Sequence, residues 1–254
     1  MPIVPPAHRH RSSGRDHGIL LAFYGFADRT ADLLELAREA ETSKGWWEAY
    51  TQSLSPEYAA YIGMETEARS AMSWAPLIMP GLLQTSDYAR EVTNGVVEEI
   101  APVSPAETTR RVEARLARQQ VLARDNPLEF SAVLDQSVLF RRFGNRNVMQ
   151  SQIKRLLDLS EHDNITLRIL LLDGPHPIGT GAFVLLQLDE THDITHRDFV
   201  YLEHLTGSRY VEEEEEAFTY RRDSKNAAPH ALGFTPAGWR TFVGELKRDL
   251  PARR

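Results

Sequence analysis

The apolar residues of this chain recur at two different spacings, and the change between them falls near residue 128. Before it they lie three and four apart. Leu33, Leu34, Leu36, Ala37 and Ala40 form one stripe and Tyr88, Ala89, Val92 and Val96 another, while Val112 and Leu116 belong to a helix predicted from Pro105 to Arg124. That is the repeat of a helix with about 3.6 residues per turn and one buried face. Beyond it the period shortens to two. LEFSAVL alternates from Leu128, and ITLRILLL sets Ile165, Leu167, Ile169 and Leu171 on one side; Ala182–Leu188, Phe199–Leu205 and Arg209–Val211 complete the predicted strands. A helix from Asn147 to Glu161 separates the first two and is predicted to bury Met149, Ile153, Leu156 and Leu157. The Glu212–Glu216 run suits the first turn of a helix reaching Ala227, and Thr235-Pro236 opens a last one that turns Trp239, Phe242, Val243, Leu246 and Leu250 inward. Helices first and clustered strands later, without regular alternation, predict an α+β fold. Its expected form is an N-terminal helical layer packed on a small, mainly antiparallel sheet, with helices at the C-terminal end.

Three segments follow from the same pass. Residues 1–18 combine three prolines, a His/Arg cluster and no periodic apolar position, which reads as a disordered basic tail. Residues 19–50 hold GILLAFYG, a short helix stopped by Gly25, and a second helix that Asp28 and Thr30 can cap. Residues 51–254 carry the larger α+β domain.

Composition removes several chemistries. With no cysteine, disulfides, thiolate zinc sites and cysteine nucleophiles are excluded. The longest apolar run, Ile19 to Phe23, falls well short of the roughly 18 residues of a membrane span, so no membrane role and a cytoplasmic location are expected. A net charge of -7 argues against a nucleic-acid coat. There is no Gly-rich phosphate loop, GxGxxG, GxSxG or HExxH, and no cofactor is predicted. His192 and His196 lie four apart among Asp189, Asp193 and Asp198, but β-branched Thr191, Ile194 and Thr195 place them between strands, and no metal site is predicted there. His8 and His10 of the tail read as solvated.

The chemistry that remains is acid, base and arginine. A helix predicted from Pro56 to Met72 turns Tyr58, Tyr61, Ile62, Glu65, Ala68 and Met72 inward, so Glu65 shares the apolar face. A buried carboxylate needs a partner; either a salt bridge, a hydrogen bond to a helix end, or a ligand satisfies it. Arg111, Arg115 and Arg118 form a stripe on the next long helix but one, either neutralised by nearby acids or poised for a carboxylate, a phosphate or an acidic partner. Glu203 and His204 are neighbours on a strand and point to opposite faces, so one of them is expected inside. His176 stands between two prolines in a Gly-rich loop, at what reads as a pocket rim.

Four segments, YIGMETEARSAMSWAPLIMPGLLQTSDYAR, RRVEARLARQ, GPHPIGTGAF and FVYLEHLTGSRYVE, together resemble the domain of unknown function that follows the helix-turn-helix in XRE/Scr-type, WhiJ-like antitoxin-like regulators of filamentous soil bacteria. PGLLQT followed by YAR is the most specific element. The similarity runs from about Ile19 to Glu216. It implies a ligand- or partner-sensing domain, often encoded beside a small partner protein, and equates GILLAFYGFAD with the last helix of the DNA-reading head. Only 18 residues precede Ile19, so sequence-specific DNA binding is not expected of this chain alone. His204 stands where the family usually has a small residue. The family has no agreed reaction, and the resemblance assigns no catalytic residue.

Two functions are consistent with these residues. In the first, a regulator-derived protein binds a small molecule or a small partner protein, with a homodimer compatible. Gln84, Tyr88, Arg115, Arg118, His176 and Glu203 line a shared polar pocket with Glu65, and Trp74 adds apolar contact. In the second, the same pocket is a cofactor-independent enzyme acting on a secondary metabolite. Glu65 is then the general acid/base, His204 or His176 the proton relay, and Arg115 the oxyanion stabiliser.

Overall fold

The computed structural model describes residues 45–100, 104–175, 181–188, 198–204, 207–227 and 230–233, with isolated positions at 30, 31, 34, 238, 239, 241, 242 and 244. The chain divides into two compact units, Met1–Trp46 and Trp47–Arg254, and the account below concerns the second. The tail, the predicted helix over GILLAFYG, the His176 loop, the His192–His196 segment and most of the 28–44 and 235–250 helices lie outside the described residues.

Helix α1 spans Pro56–Glu67. Ser55 caps it by accepting the Tyr58 N–H at 3.2 Å, and Pro56 occupies the first turn, where its missing N–H costs nothing. The predicted continuation to Met72 is wrong. The chain extends at once into strand β1, Ala68–Ala75, which becomes central to the sheet. Here pairing to neighbours on both edges overrides a local sequence of Ala, Ser, Met and Arg that suits a helix equally well. The change is fixed by Arg124, whose guanidinium donates to the carbonyls of Thr66 and Ala68 and satisfies the groups a helix end leaves open.

After a single 3₁₀ turn at Gly81–Leu83 come α2, Ser86–Ile100, and α3, Pro105–Ala117, the latter capped by Ser104. Residues Arg118–Leu122 tighten into a 3₁₀ helix, so the α-helix predicted to reach Arg124 ends about two turns sooner, at Ala117. Then follow β2 (Glu129–Asp135), the short α4 (Ser137–Phe140), α5 (Arg146–Leu159) and β3 (Ile165–Leu170). Strands β4 (Phe183–Leu188), β5 (Phe199–His204) and β6 (Gly207–Val211) precede α6 (Glu214–Ala227) and β7 (Ala231–Gly233).

The fold is α+β, as expected, around a seven-stranded mixed sheet of order β6-β5-β4-β1-β2-β3-β7. Only β1/β2 and β2/β3 are parallel pairs; the other four are antiparallel. The register defines two faces. On one, Ser73, Ala132, Leu167, Val184 and Tyr201 align, and α1 packs there through Tyr61, whose ring stacks 4.2 Å from that of Tyr201. On the other, Trp74, Val133, Leu170, Phe183, Leu185, Val200, Leu202 and Val211 build one apolar cluster with Ala217 and Tyr220 of α6. That cluster covers only part of its face. Towards the amino ends of β1, β2 and β3 the same face turns polar, at Ser70, Ser131, Thr166 and Gln187.

Candidate functional site

Glu65 and Arg118 meet between α1 and the 3₁₀ helix after α3, at 1% and 5% exposure. Arg118 engages the carboxylate with two parallel bonds, Nε to Oε2 at 2.8 Å and a terminal nitrogen to Oε1 at 2.7 Å. The Tyr61 hydroxyl donates to Oε1 as well, at 2.5 Å, and Arg118 also donates to the hydroxyls of Tyr58 and Tyr61. Its guanidinium carbon lies 5.2 and 5.0 Å from the centres of those two rings. Burial by itself would ease the Arg118 proton off, but Glu65 and the two phenols hold it on and raise its pKa well above the usual value. Burial, reinforced by Glu65, likewise pushes the Tyr61 phenol well above its ordinary range. Glu65 is thus satisfied by protein on both oxygens.

A second network sits beside it. The PGLLQT segment forms the 3₁₀ turn Gly81–Leu83, and glutamines hold it from three sides. Gln84 donates to the Met79 carbonyl at 2.6 Å and accepts from Arg115 at 3.2 Å. Gln119 donates to the carbonyls of Gly81 and Gln84, and Gln152, fully buried on α5, joins Leu83 O and the Thr85 N–H at 2.9 and 2.8 Å. Gly81 lies close to the ion pair: a Cβ there would stand 3.2 Å from an Arg118 nitrogen. Tyr88, buried on α2, receives the Met79 N–H and packs edge-on to Phe143. Arg111 pairs with Glu107 one turn earlier at 3.1 Å.

The residues singled out in the sequence therefore fall into separate places. Glu65 with Arg118, and Gln84 with Arg115, are adjacent pairs cross-braced through Gly81; Tyr88 lies against the same turn. Trp74 is on the opposite face of the sheet from Tyr61, inside the apolar cluster. Glu203 and His204 are both exposed, contrary to the expectation that one faces inward, because they end β5 opposite Ser208 and Gly207 at the hairpin beside the sheet's edge. No hydrogen bond or ion pair joins His204 to Glu65 among the described residues. His176 lies outside those residues. Nor do the described residues hold any group of three or more His, Asp or Glu arranged to bind a metal.

A concavity lies elsewhere. A cleft of about 790 Å³ opens over the polar part of the second sheet face. Ser70, Met72, Ser131, Thr166 and Gln187 form its floor, and Arg124, Asn126 and Asp163 stand at its rim. Ser70 donates to Gln187 at 2.9 Å, and Ser131 accepts from Arg168 at 3.2 Å and keeps its own proton to donate. Three carboxylates that border the cleft, Glu67, Glu129 and Asp163, form no ion pair among the described residues. Arg124 spends its guanidinium on backbone, donating also to Asn126 O at 2.7 Å. Sequence patterning missed this site because it depends on β1 being a strand. Serines and threonines alternating with apolar residues in β1, β2 and β3 were the available signal.

The profile of a family described as "Domain of unknown function (DUF5753)" matches residues 58–236. No curated protein matches the sequence. Among solved structures, that of TrmBL2, an archaeal chromatin protein reported to show a novel mode of DNA binding, aligns at 11% identity over 91% of this chain and 76% of that one. Its TM-score is 0.32, too low to carry an argument.

Proposed function

We propose that this chain, which belongs to the DUF5753 family through residues 58–236, is a regulator-derived binding protein whose ligand site is the cleft on the polar sheet face. The occupant is a small polar molecule, and the output passes to a partner protein of the XRE-type regulatory kind that the sequence resembles. One observation carries the reading. The Glu65 carboxylate is saturated by Arg118 and Tyr61, whereas the cleft offers hydroxyls, amides and three unpaired carboxylates around open space. Charges of both signs border the cleft, Glu67, Glu129 and Asp163 against Arg69 and Arg124, so the reading rests on the polar groups of the floor and not on net charge.

Two observations favour this reading over the acid/base alternative. A catalytic acid must be able to reach substrate, and Glu65 is buried on the inner side of α1 and forms no hydrogen bond or ion pair with His204 among the described residues. Native mass spectrometry with a mixture of polyols, amines and carboxylates tests the proposal. Thr166 is exposed on the cleft floor, so Thr166→Trp fills the cleft with little effect on folding and is expected to abolish binding. Binding that survives Thr166→Trp but is lost in a folded Glu65→Gln variant contradicts it.

A further inference from the structure

We propose that the carboxyl-terminal ends of β1, β2 and β3 form a docking surface for a second copy of this chain, which inserts the start of its α6. Each of the three strands leads into a connection that presents one large exposed apolar side chain: Leu77 at 54%, Phe140 at the end of α4 at 38%, and Leu172 at 56%. The loops are tied together. Ser137 Oγ donates to Pro76 O at 3.4 Å, and the Leu172 N–H donates to Gln136 Oε1 at 3.0 Å. Single exposed apolar residues are ordinary on a surface, but three from adjacent, mutually bonded loops make a patch.

The patch has a charge. Arg141 and Arg142 follow Phe140 directly and Arg146 opens α5; all three are exposed, and none forms a side-chain hydrogen bond or ion pair among the described residues. Two acids stand nearby. Glu91 presses its carboxylate against Gly144 without pairing to the arginines, and Asp173 is exposed beside Leu172.

The complement is in the same sequence. Glu212, Glu213, Glu214 and Glu215 are exposed and unpaired among the described residues, and Phe218 follows at 55% exposure. Glu214 and Glu215 precede Phe218 by four and three residues, which sets both carboxylates on its side of α6, while Ala217 and Tyr220 turn to the core. The result is an apolar knob with carboxylates on its amino-terminal side and Arg222 one turn beyond it, facing an apolar patch whose Phe140 side carries three arginines. A chain cannot satisfy itself. Strand β5 runs with β1 and β6 runs against it, so Val211 and the acidic run leave the sheet at the amino ends of β1–β3, away from the patch. The contact is between copies, head to tail.

Sedimentation of the full chain tests this. Wild type is expected to associate as concentration rises and to dissociate as salt is added. The variants Arg141→Glu/Arg142→Glu/Arg146→Glu and Glu213→Lys/Glu214→Lys/Glu215→Lys are each expected to be monomeric. Mixed in equal amounts they should form a heterodimer, because the first keeps the knob and the second keeps the patch. Phe218→Ser, on an exposed position, should weaken association by about tenfold or more with unchanged folding. A wild type that stays monomeric at millimolar concentration and low salt overturns the proposal, as does an assembly that either charge reversal leaves intact.

Discussion

At the scale of single residues, Glu65 shows how far a face assignment reaches. Spacing along α1 is enough to turn its carboxylate inward, and the need for a partner follows from the cost of an unpaired buried charge. The identity of that partner is beyond periodicity, since Arg118 lies 53 residues away and shares its stripe with two arginines that found other neighbours. Removing one member should strand the other. Glu65→Gln or Arg118→Met is expected to cost about 3–5 kcal/mol in urea unfolding, with the double variant costing less than the sum. Tyr88 offers a separate check through pH. Burial pushes its phenol from 10.0 up to about 12, against opposing pulls from the Met79 N–H and Arg141. The folded value is above the unfolded one, so the protonated form stabilises the fold fully below pH 10 and that contribution is lost as pH rises through about 12. Tyr88→Phe should therefore remove a share of the alkaline loss of stability in that window, measured by chemical denaturation at stepped pH. An unchanged profile would mean that the phenol is not buried against Met79.

At the scale of elements, the helices and five of the seven strands were legible, because each has one buried face and a period that reports it. Strand β1 was not. Its eight residues are small or mixed in character, and what makes them a strand is pairing to β2 and β4, distant in sequence. Three-residue β7 carries too little pattern to be seen at all. On α5 the inward face is rotated from the expected one, with Val148, Gln152, Leu156 and Leu159 buried, because the Gln152 amide is drawn in to bind the PGLLQT turn. A polar residue that packs as core escapes any hydrophobic count. The signature motif thus owes its residues largely to a clamped turn, and Gln152→Ala is expected to cost about 1–3 kcal/mol by leaving Leu83 O and the Thr85 N–H without their side-chain partner. Gly144 is a second constrained position: its φ of 65° is left-handed, and a Cβ would fall 2.8 Å from Glu91 Cδ. Gly144→Ala should destabilise by about 1–2 kcal/mol or more in the same assay.

At the scale of the molecule, the sheet separates two kinds of chemistry. On the face under α1, charges and amides satisfy one another and fix the helical layer in place. On the other face, α6 covers the apolar part and leaves the amino ends of β1–β3 as a polar cleft. The residues grouped from sequence into one pocket are divided between these faces, because strand β1 turns Trp74 to the side opposite Tyr61. Binding at the cleft rather than at Glu65 is the central claim, and locating bound molecules tests it most directly. Crystals of the full chain soaked with small polyols, amines and carboxylates should show bound molecules seated on Ser70, Ser131 and Gln187. Fragments found instead against Glu65 and Arg118, with the cleft empty, would contradict it.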